Sequence, residues 1–333
     1  GQGNLQDAAR RARRDQIGSW AIERGLSHVL FAHTRDDQAE TVLMRLARGS
    51  GVEGVAAMAP ATTVRRTDGS AWHLLRPLLD VARTELRHHA DTLHVPYVDD
   101  PSNDDPRFDR VRTRAALEHL SDLGITPEGL ALTAHRMGRA RAVLAARAAD
   151  IADRIQIAEA RITGHVLLDR DGFAPVERDT QLRLLAAALQ LVTGAPYRPR
   201  AAALEALLDR IAGGGGGTLS GAQVHVGATT LRIAREYAAV AETCAPGDGT
   251  GVWDGQWYGR GKPGQMLRAL GPDGWAQLGA LPDDAPPHAA ALSLPALFDG
   301  ARLVACPGLG LGAPDAITLR RPVQRLAAFV HSR

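Results

Sequence analysis

Four ionisable side chains fall within eight residues: His33, Asp36, Asp37 and Glu40, in the string H-x-x-D-D-x-x-E. So many charges in one turn need either solvent or a ligand. Asp37 and Glu40 are three apart at the start of a helical pattern, a spacing that projects both carboxylates to one side. Asp36 shares that first turn and is the candidate helix cap. His33 either orients an acid or braces the turn through a hydrogen bond. The string also reads as a metal site. No further His or Cys stands at ligand spacing, so Mg²⁺ held through Asp36 is the version that fits.

The elements that must position these groups are short. His28 to Ala32 is an apolar run of strand length, and the turn His33-Thr34-Arg35-Asp36-Asp37 ends it. From Gln38 the apolar Val42, Leu43, Leu46 and Ala47 recur at helical spacing, and Gly49 stands where a C-terminal glycine cap belongs. A strand, a polar turn and a helix in that order is where open α/β sheets place ligands. Upstream, residues 5 to 24 read as a helix ended by Gly25, with a basic face of Arg10, Arg11, Arg13 and Arg14. That face is either a solvated helix surface or a phosphate-contacting patch.

A second polar cluster runs from Asp99 to Arg110, rich in Asp and Pro, and leads into Arg112 and Arg114 at the start of a helix. Such a loop is functional or a linker. Between the two clusters, His73 to Leu79 reads as a strand closed by Pro77, Ala82 to Leu93 as an amphipathic helix, and Val95 to Val98 as an extended piece. Beyond them the chain reads as helical from about 115 to 160, from Arg178 to Val192 and from Arg200 to Ile211. The glycine run Gly213 to Gly217 lacks the Lys-Ser/Thr of a P-loop and reads as a turn. Thr218 to Val226 and Thr230 to Ala234 read as the two strands of a hairpin, and residues 241 to 290 as short strands and loops.

Composition bounds the class. The chain has 333 residues, 45% of them hydrophobic, and a formal charge of +2, which proves no nucleic-acid partner. Lys262 is the one lysine among 39 basic residues. The arginine bias is compatible with bidentate phosphate contact, but an Ala/Gly/Arg-rich composition explains it better on its own. Cys244 and Cys306 are too far apart for a disulfide framework or metal spacing. No apolar run approaches the roughly 20 residues of a membrane span, and no signal peptide is apparent. The expectation is a reduced, cytoplasmic, soluble protein.

Three segments in order carry a resemblance: AHTRDDQAETVLMRLARGSGVEGVAAM (Ala32 to Met58), RPLLDVARTEL (Arg76 to Leu86) and YVDDPSNDDPRFDRVRTR (Tyr97 to Arg114). Together they resemble the tRNA(Ile)-lysidine synthetases, and GNLQDAARRAR (Gly3 to Arg13) resembles the helix before that family's central strand. The likeness is strong over residues 3 to 114, coherent to about 240 and faint beyond. It implies an α/β fold. A partial parallel-sheet N-type ATP pyrophosphatase domain, of the adenine nucleotide alpha hydrolase kind, would cover 1–114. A helical, tRNA-binding domain with a β-hairpin would cover 115–240, and a small irregular extension 241–333.

The implied reaction adenylates C2 of the wobble cytidine of a CAU-anticodon tRNA(Ile). The amine of L-lysine then displaces AMP to give lysidine. ATP, Mg²⁺, lysine and tRNA are the implied ligands, and a homodimer is left open. By resemblance, Asp37 and Glu40 hold the lysine. His33 and Asp36 contact the nucleotide, with Asp36 the Mg²⁺ ligand. Arg110 and Arg114 stabilise the α-phosphate during attack; ion pairs to Asp100, Asp104 or Asp105 are the alternative for these two. His33 joins them among the expected catalytic residues, and Arg10 and Arg13 are the expected tRNA contacts.

The sequence departs from the family in three places. Val111 stands where Asn is frequent, and Arg14 where an aromatic is common. The Ser-Gly-Gly-x-Asp-Ser loop that cradles ATP phosphates does not occur before His33. Two other readings follow: a non-catalytic tRNA-binding remnant, and another N-type pyrophosphatase such as a tRNA thiolation enzyme, which usually carries cysteines near its site. Loss of central strands would also leave an open sheet edge, with poor solubility or a need for a partner. A cradle of backbone N–H groups cannot be replaced by side chains. The 333-residue chain alone is therefore expected not to adenylate tRNA. Isotope exchange between pyrophosphate and ATP, driven by tRNA, measures this, and clear exchange by the purified chain overturns it.

Overall fold

A computed structural model describes residues 5–65, 70–98, 105, 107–320 and 325–331, with side chains from Ala12 onward, that of Arg65 excepted. The chain forms two compact units, Gly1–Val143 and Leu144–Arg333.

The first unit runs α1 (Leu5–Glu23), β1 (His28–Leu30), α2 (Arg35–Leu46), α3 (Val52–Val55), β2 (Ala61–Arg65), β3 (Ala71–Leu75), α4 (Arg83–Thr92), α5 (Asp109–Ser121) and the first half of α6 (Pro127–Ile155). The sheet order is β1-β3-β2. β1 and β3 are parallel, with His28 opposite His73 and Leu30 opposite Leu75, while β2 and β3 are antiparallel. Gly25 takes φ +68° at the end of α1, and Gly49 takes +68° after α2, a backbone state that costs glycine no steric penalty. On the side of α2, Ala39, Val42, Val55, Leu117, Leu130 and Ala134 close into one apolar cluster that ties α2, α3, α5 and α6 together. β1 is the outer strand of the described sheet, and Leu30 there is 67% exposed.

The elements differ from the sequence expectation in their limits. β1 ends at Leu30, not Ala32, and α2 begins at Arg35, not Gln38. Thr34 supplies the cap that the sequence reading assigned to Asp36. β3 ends at Leu75, and Val95 to Val98 form no strand. The helical stretch after 115 is two helices broken at Gly124, whose φ is +80°. Residues 99–104 and 106, most of the second polar cluster, lie outside the described residues.

The second unit takes the rest of α6, then β4 (Gln156–Ile157), β5 (Val166–Asp169), α7 (Arg170–Phe173), α8 (Arg178–Thr193), α9 (Ala201–Ala212), β6 (Gly217–Leu219), β7 (Ala222–Val226) and β8 (Thr230–Arg235). There follow β9 (Cys244–Pro246), β10 (Trp257–Gly259), β11 (Met266–Ala269), α10 (Gly271–Trp275), α11 (His288–Ala291), β12 (Pro295–Asp299), β13 (Arg302–Ala305), β14 (Ile317–Leu319) and α12 (Leu326–His331). A five-stranded sheet of order β4-β5-β8-β7-β6 and a four-stranded sheet of order β13-β12-β11-β9 carry it. α8 is apolar almost all round, from Leu184 to Val192, and sits inside the core against α9, α12 and the larger sheet, as such a helix must. The expected two-stranded hairpin is a three-stranded meander. Ser220 and Gly221 both take positive φ, 54° and 78°, which is the tight turn that folds β6 onto β7.

The contact of α1 with β3 is a close one. A Cβ built on Gly18 would lie 2.4 Å from Nε1 of Trp72, a side chain only 1% exposed. Gly18→Ala would gain about 1 kcal/mol of helix propensity, but overpacking typically costs about 1–3 kcal/mol. Because the ring is enclosed, the clash wins. A lower urea midpoint for Gly18→Ala is the expected result, and a raised midpoint would show that the ring yields.

Candidate functional site

The site of the first unit is built where the parallel strands end and α2 begins. Thr34 has extended backbone and receives the Asp37 N–H on its Oγ1 at 3.5 Å, while Asp37 Oδ2 accepts the Thr34 N–H at 2.9 Å. This is a capping box with Asp in the place usually held by Glu. The Thr34 hydroxyl donates to the same Oδ2 at 3.0 Å. The box fixes the carboxylate of Asp37 relative to the helix axis, and two carboxylates in this first turn sit well with the helix dipole.

Asp36 turns the other way. Its Oδ2 accepts the backbone N–H of Arg83 at 2.7 Å, so it satisfies the first turn of α4 and ties that helix to α2. Its Oδ1 has no partner among the described residues. Gln38, 7% exposed, grips Met58 by both of its amide atoms, at 2.8 and 3.0 Å, and so holds the segment after α3. Arg35 pairs with Glu128 at 3.0 Å and Glu85 at 3.8 Å.

α5 supplies the facing half. Arg110 Nη1 donates to Asp37 Oδ1 at 3.1 Å. Arg114 donates through Nε to Glu40 Oε1 at 3.1 Å, with its Nη2 also 3.1 Å away. The three-residue spacing of the acids on α2 thus meets the four-residue spacing of the arginines on α5, two rungs between neighbouring helices. The pairing of these arginines with Asp105 is not found: Asp105 pairs with Arg107, at 2.6 Å. The reason is geometric, since one face of α5 presents both guanidiniums to α2. Asp100 and Asp104 lie outside the described residues.

Glu40 is the unusual member. It is 1% exposed, and its Oε2 has no partner among the described residues. Burial raises its pKa from the ordinary carboxyl value, a shift that Arg114 opposes and Asp37 reinforces. Arg83, at the start of α4, stands 3.7 Å from Oε1. Around Asp37 and Glu40 there are thus three guanidiniums against two carboxylates. The cluster can accept an ammonium at Oε2 and can also face an anion through its surplus positive charge.

His33 lies three residues past the end of β1, its ring 5.7 Å from that of Phe31. Arg13 is exposed, and for Arg10 the backbone alone is described. Among the described residues no group of three or more His, Cys, Asp or Glu is placed to hold a metal ion. Sequence reasoning did not single out Arg83, Gln38 or Thr34. Thr34 was findable from the pattern T-x-x-D, but Arg83 has no local signal because its partner is in another helix.

Removing one partner of a buried pair strands the other. Arg114→Ala should cost roughly 1–3 kcal/mol, below the ~3–5 of a fully enclosed pair, because Arg83 remains near and Glu40 can take up a proton. Arg110→Ala should cost less, since Asp37 keeps its bonds to Thr34. Urea denaturation of the two variants checks the order, and an equal or reversed loss contradicts it.

Known proteins similar to this chain point to one family. A family model described as a PP-loop domain matches residues 1–120. The tRNA(Ile)-lysidine synthase of Ruegeria pomeroyi is 39% identical over 323 residues, covering 93% of this chain and 72% of the relative. That of Methylobacterium nodulans is 41% identical over 240 residues, 70% of this chain and 69% of the relative. That of a Bradyrhizobium strain is 39% identical over 249 residues, 69% and 68% respectively. With two thirds or more of each relative spanned at this identity, and with a capped α2 faced by the arginines of α5 at the ends of parallel strands, the chain belongs to the tRNA(Ile)-lysidine synthase family.

Proposed function

We propose that the chain carries the lysine side of the site for ATP-dependent ligation of L-lysine to the wobble cytidine of CAU-anticodon tRNA(Ile), through an adenylated tRNA. Membership of the lysidine synthase family and the PP-loop match support ATP use and tRNA as substrate. The single observation that carries the lysine assignment is Glu40: a carboxylate 1% exposed with one oxygen unpartnered among the described residues. Such an oxygen costs free energy until a donor reaches it. An ammonium fits because it supplies the missing hydrogen-bond donor and a positive charge that favours the buried carboxylate.

The division of labour is then specific. Glu40 Oε2 takes an amine of lysine. Asp37, whose oxygens already accept from Thr34 and Arg110, sets the position of Arg110 and adds negative field. Arg110 and Arg114 hold positive charge beside the phosphate that lysine attack expels. His33, in the turn between β1 and α2, contacts the nucleotide. The donor set around Asp36 suits Mg²⁺ in its usual mode of one carboxylate oxygen plus phosphate and water, with Oδ1 available and Oδ2 held by Arg83. When bound, that ion would neutralise phosphate charge. Residues 1–114 are assigned the chemistry, 115–240 tRNA binding with Arg10 and Arg13 in support, and 241–333 an extension. Among the described residues no helix is long and apolar enough to cross a membrane, and the proposed site of action is the cytoplasm.

Equilibrium binding of radiolabelled lysine tests the assignment without requiring turnover. A charged hydrogen bond is worth about 1.5–3 kcal/mol, so Glu40→Gln should raise the Kd for lysine by roughly 10- to 100-fold. Asp37→Asn should have the smaller effect. Unchanged affinity in Glu40→Gln would remove Glu40 from the lysine site.

A further inference from the structure

Some arginines of the first unit are paired with acids and others are not. Arg35, Arg48, Arg83, Arg110, Arg112 and Arg114 each have a carboxylate partner. Arg14 and Arg76 have none among the described residues, and each buries an Nε that meets no acceptor. The fold brings these two together. Gly18 of α1 sits on Trp72 of β3, and Arg14 is one turn earlier on the same helix face. Trp72, Leu74 and Arg76 alternate along β3 and its continuation and so share one side of the sheet, the side that α1 covers.

Arg76 is held in place. Its Nη1 donates to the carbonyl of Ala59 at 2.7 Å and to the hydroxyl of Thr62 at 3.3 Å, which leaves Nε and the rest of the fork unclaimed. It follows β3 directly, at the carboxyl end of the parallel pair, where Phe31 N–H bonds to Leu75 O. That is the edge at which open α/β sheets take ligands. Burial is the first cause that lowers the Arg76 pKa, and the charge of Arg14 is the second. Two half-buried guanidiniums that repel one another and lack a counter-charge are costly in the free protein. An anion with several acceptor oxygens would relieve both groups at once.

We infer that Arg14 and Arg76 form a phosphate-binding pair, separate from the Asp37–Arg110 and Glu40–Arg114 rungs, whose ligand is a phosphate of the RNA backbone or of the nucleotide. The shared chemistry is a tetrahedral oxyanion gripped by two forks. Arg14 stands within the basic face of α1, and its role is distinct from that of Arg10 and Arg13: it is half-buried and its charge acts on Arg76, whereas Arg13 is exposed.

The test measures binding of two probes, an RNA stem-loop with a CAU loop and ATP, to the full chain and to Arg14→Gln, Arg76→Gln and the double variant. Arg14 makes no hydrogen bond to the described protein, so Arg14→Gln should fold with unchanged or higher thermal stability and still report on the site. If the phosphate is from RNA, Arg14→Gln weakens stem-loop binding about 10-fold and reduces the slope of log affinity against log salt by about 1, with ATP affinity intact. If it is from the nucleotide, ATP affinity falls by a similar factor and the RNA salt slope is kept. Folded Arg14→Gln and Arg76→Gln proteins with both affinities unchanged overturn the pair. Lysine is absent throughout, so the outcome does not depend on the assignment of Glu40.

Discussion

The first unit depends on burying Glu40. A carboxylate this enclosed would lose far more in desolvation than one pair could return. It is tolerated because Arg114 reaches it from α5 and Arg83 approaches from α4. The same two contacts bind three helices around one charge, so the arrangement that keeps Glu40 ionisable is also what positions α4 and α5 relative to α2. One oxygen is left over, Oε2, and it is that remainder, not the paired one, that gives the site chemistry of its own.

The polar side chains around it divide the work of building from the work of binding. Thr34 and Asp37 close the start of α2, Asp36 closes the start of α4, and Gln38 pins the chain after α3. Each satisfies backbone groups that a helix end or a loop would otherwise leave bare. A cluster of acids that looks purely functional in the sequence is therefore half scaffold. The acids retained for a ligand are those whose oxygens are not consumed by the fold. This is why we propose Glu40 and Asp36 Oδ1, and less so Asp37, as the groups that receive lysine and a metal ion.

The second unit shows a different economy. Its larger core is almost free of charge, and one polar group beside it is matched locally: Arg232 pairs with Glu159 and meets Nδ1 of His165 at 3.1 Å, although Nε2 of His225 meets no partner among the described residues. Burial holds the pKa of His165 down to about 3 and keeps the imidazole neutral, so it accepts from Arg232 and does not repel it. Gly164, at φ +75°, lies against Trp257, where any side chain would meet the ring. These features stabilise a scaffold of sheets and buried helix and put no unpaired acid on view comparable with Glu40.

The sequence by itself determined the local elements and the family. Periodicity placed α1, α8 and α9 within a residue or two, the glycines marked the ends of α1 and α2, and three ordered motifs carried the likeness to lysidine synthases. Helical spacing singled out Asp37 and Glu40, and the likeness to the family singled out Arg110 and Arg114. Which carboxylate meets which guanidinium could not be read that way. The partners are separated by more than 70 residues, and the competing acids of the polar loop were nearer in sequence. Nor could the sequence distinguish a capping oxygen from a free one, or mark Arg83 and Arg76 among so many arginines. Burial and pairing are properties of the space between elements, and only the packing of α2, α4 and α5 at the strand ends decided them.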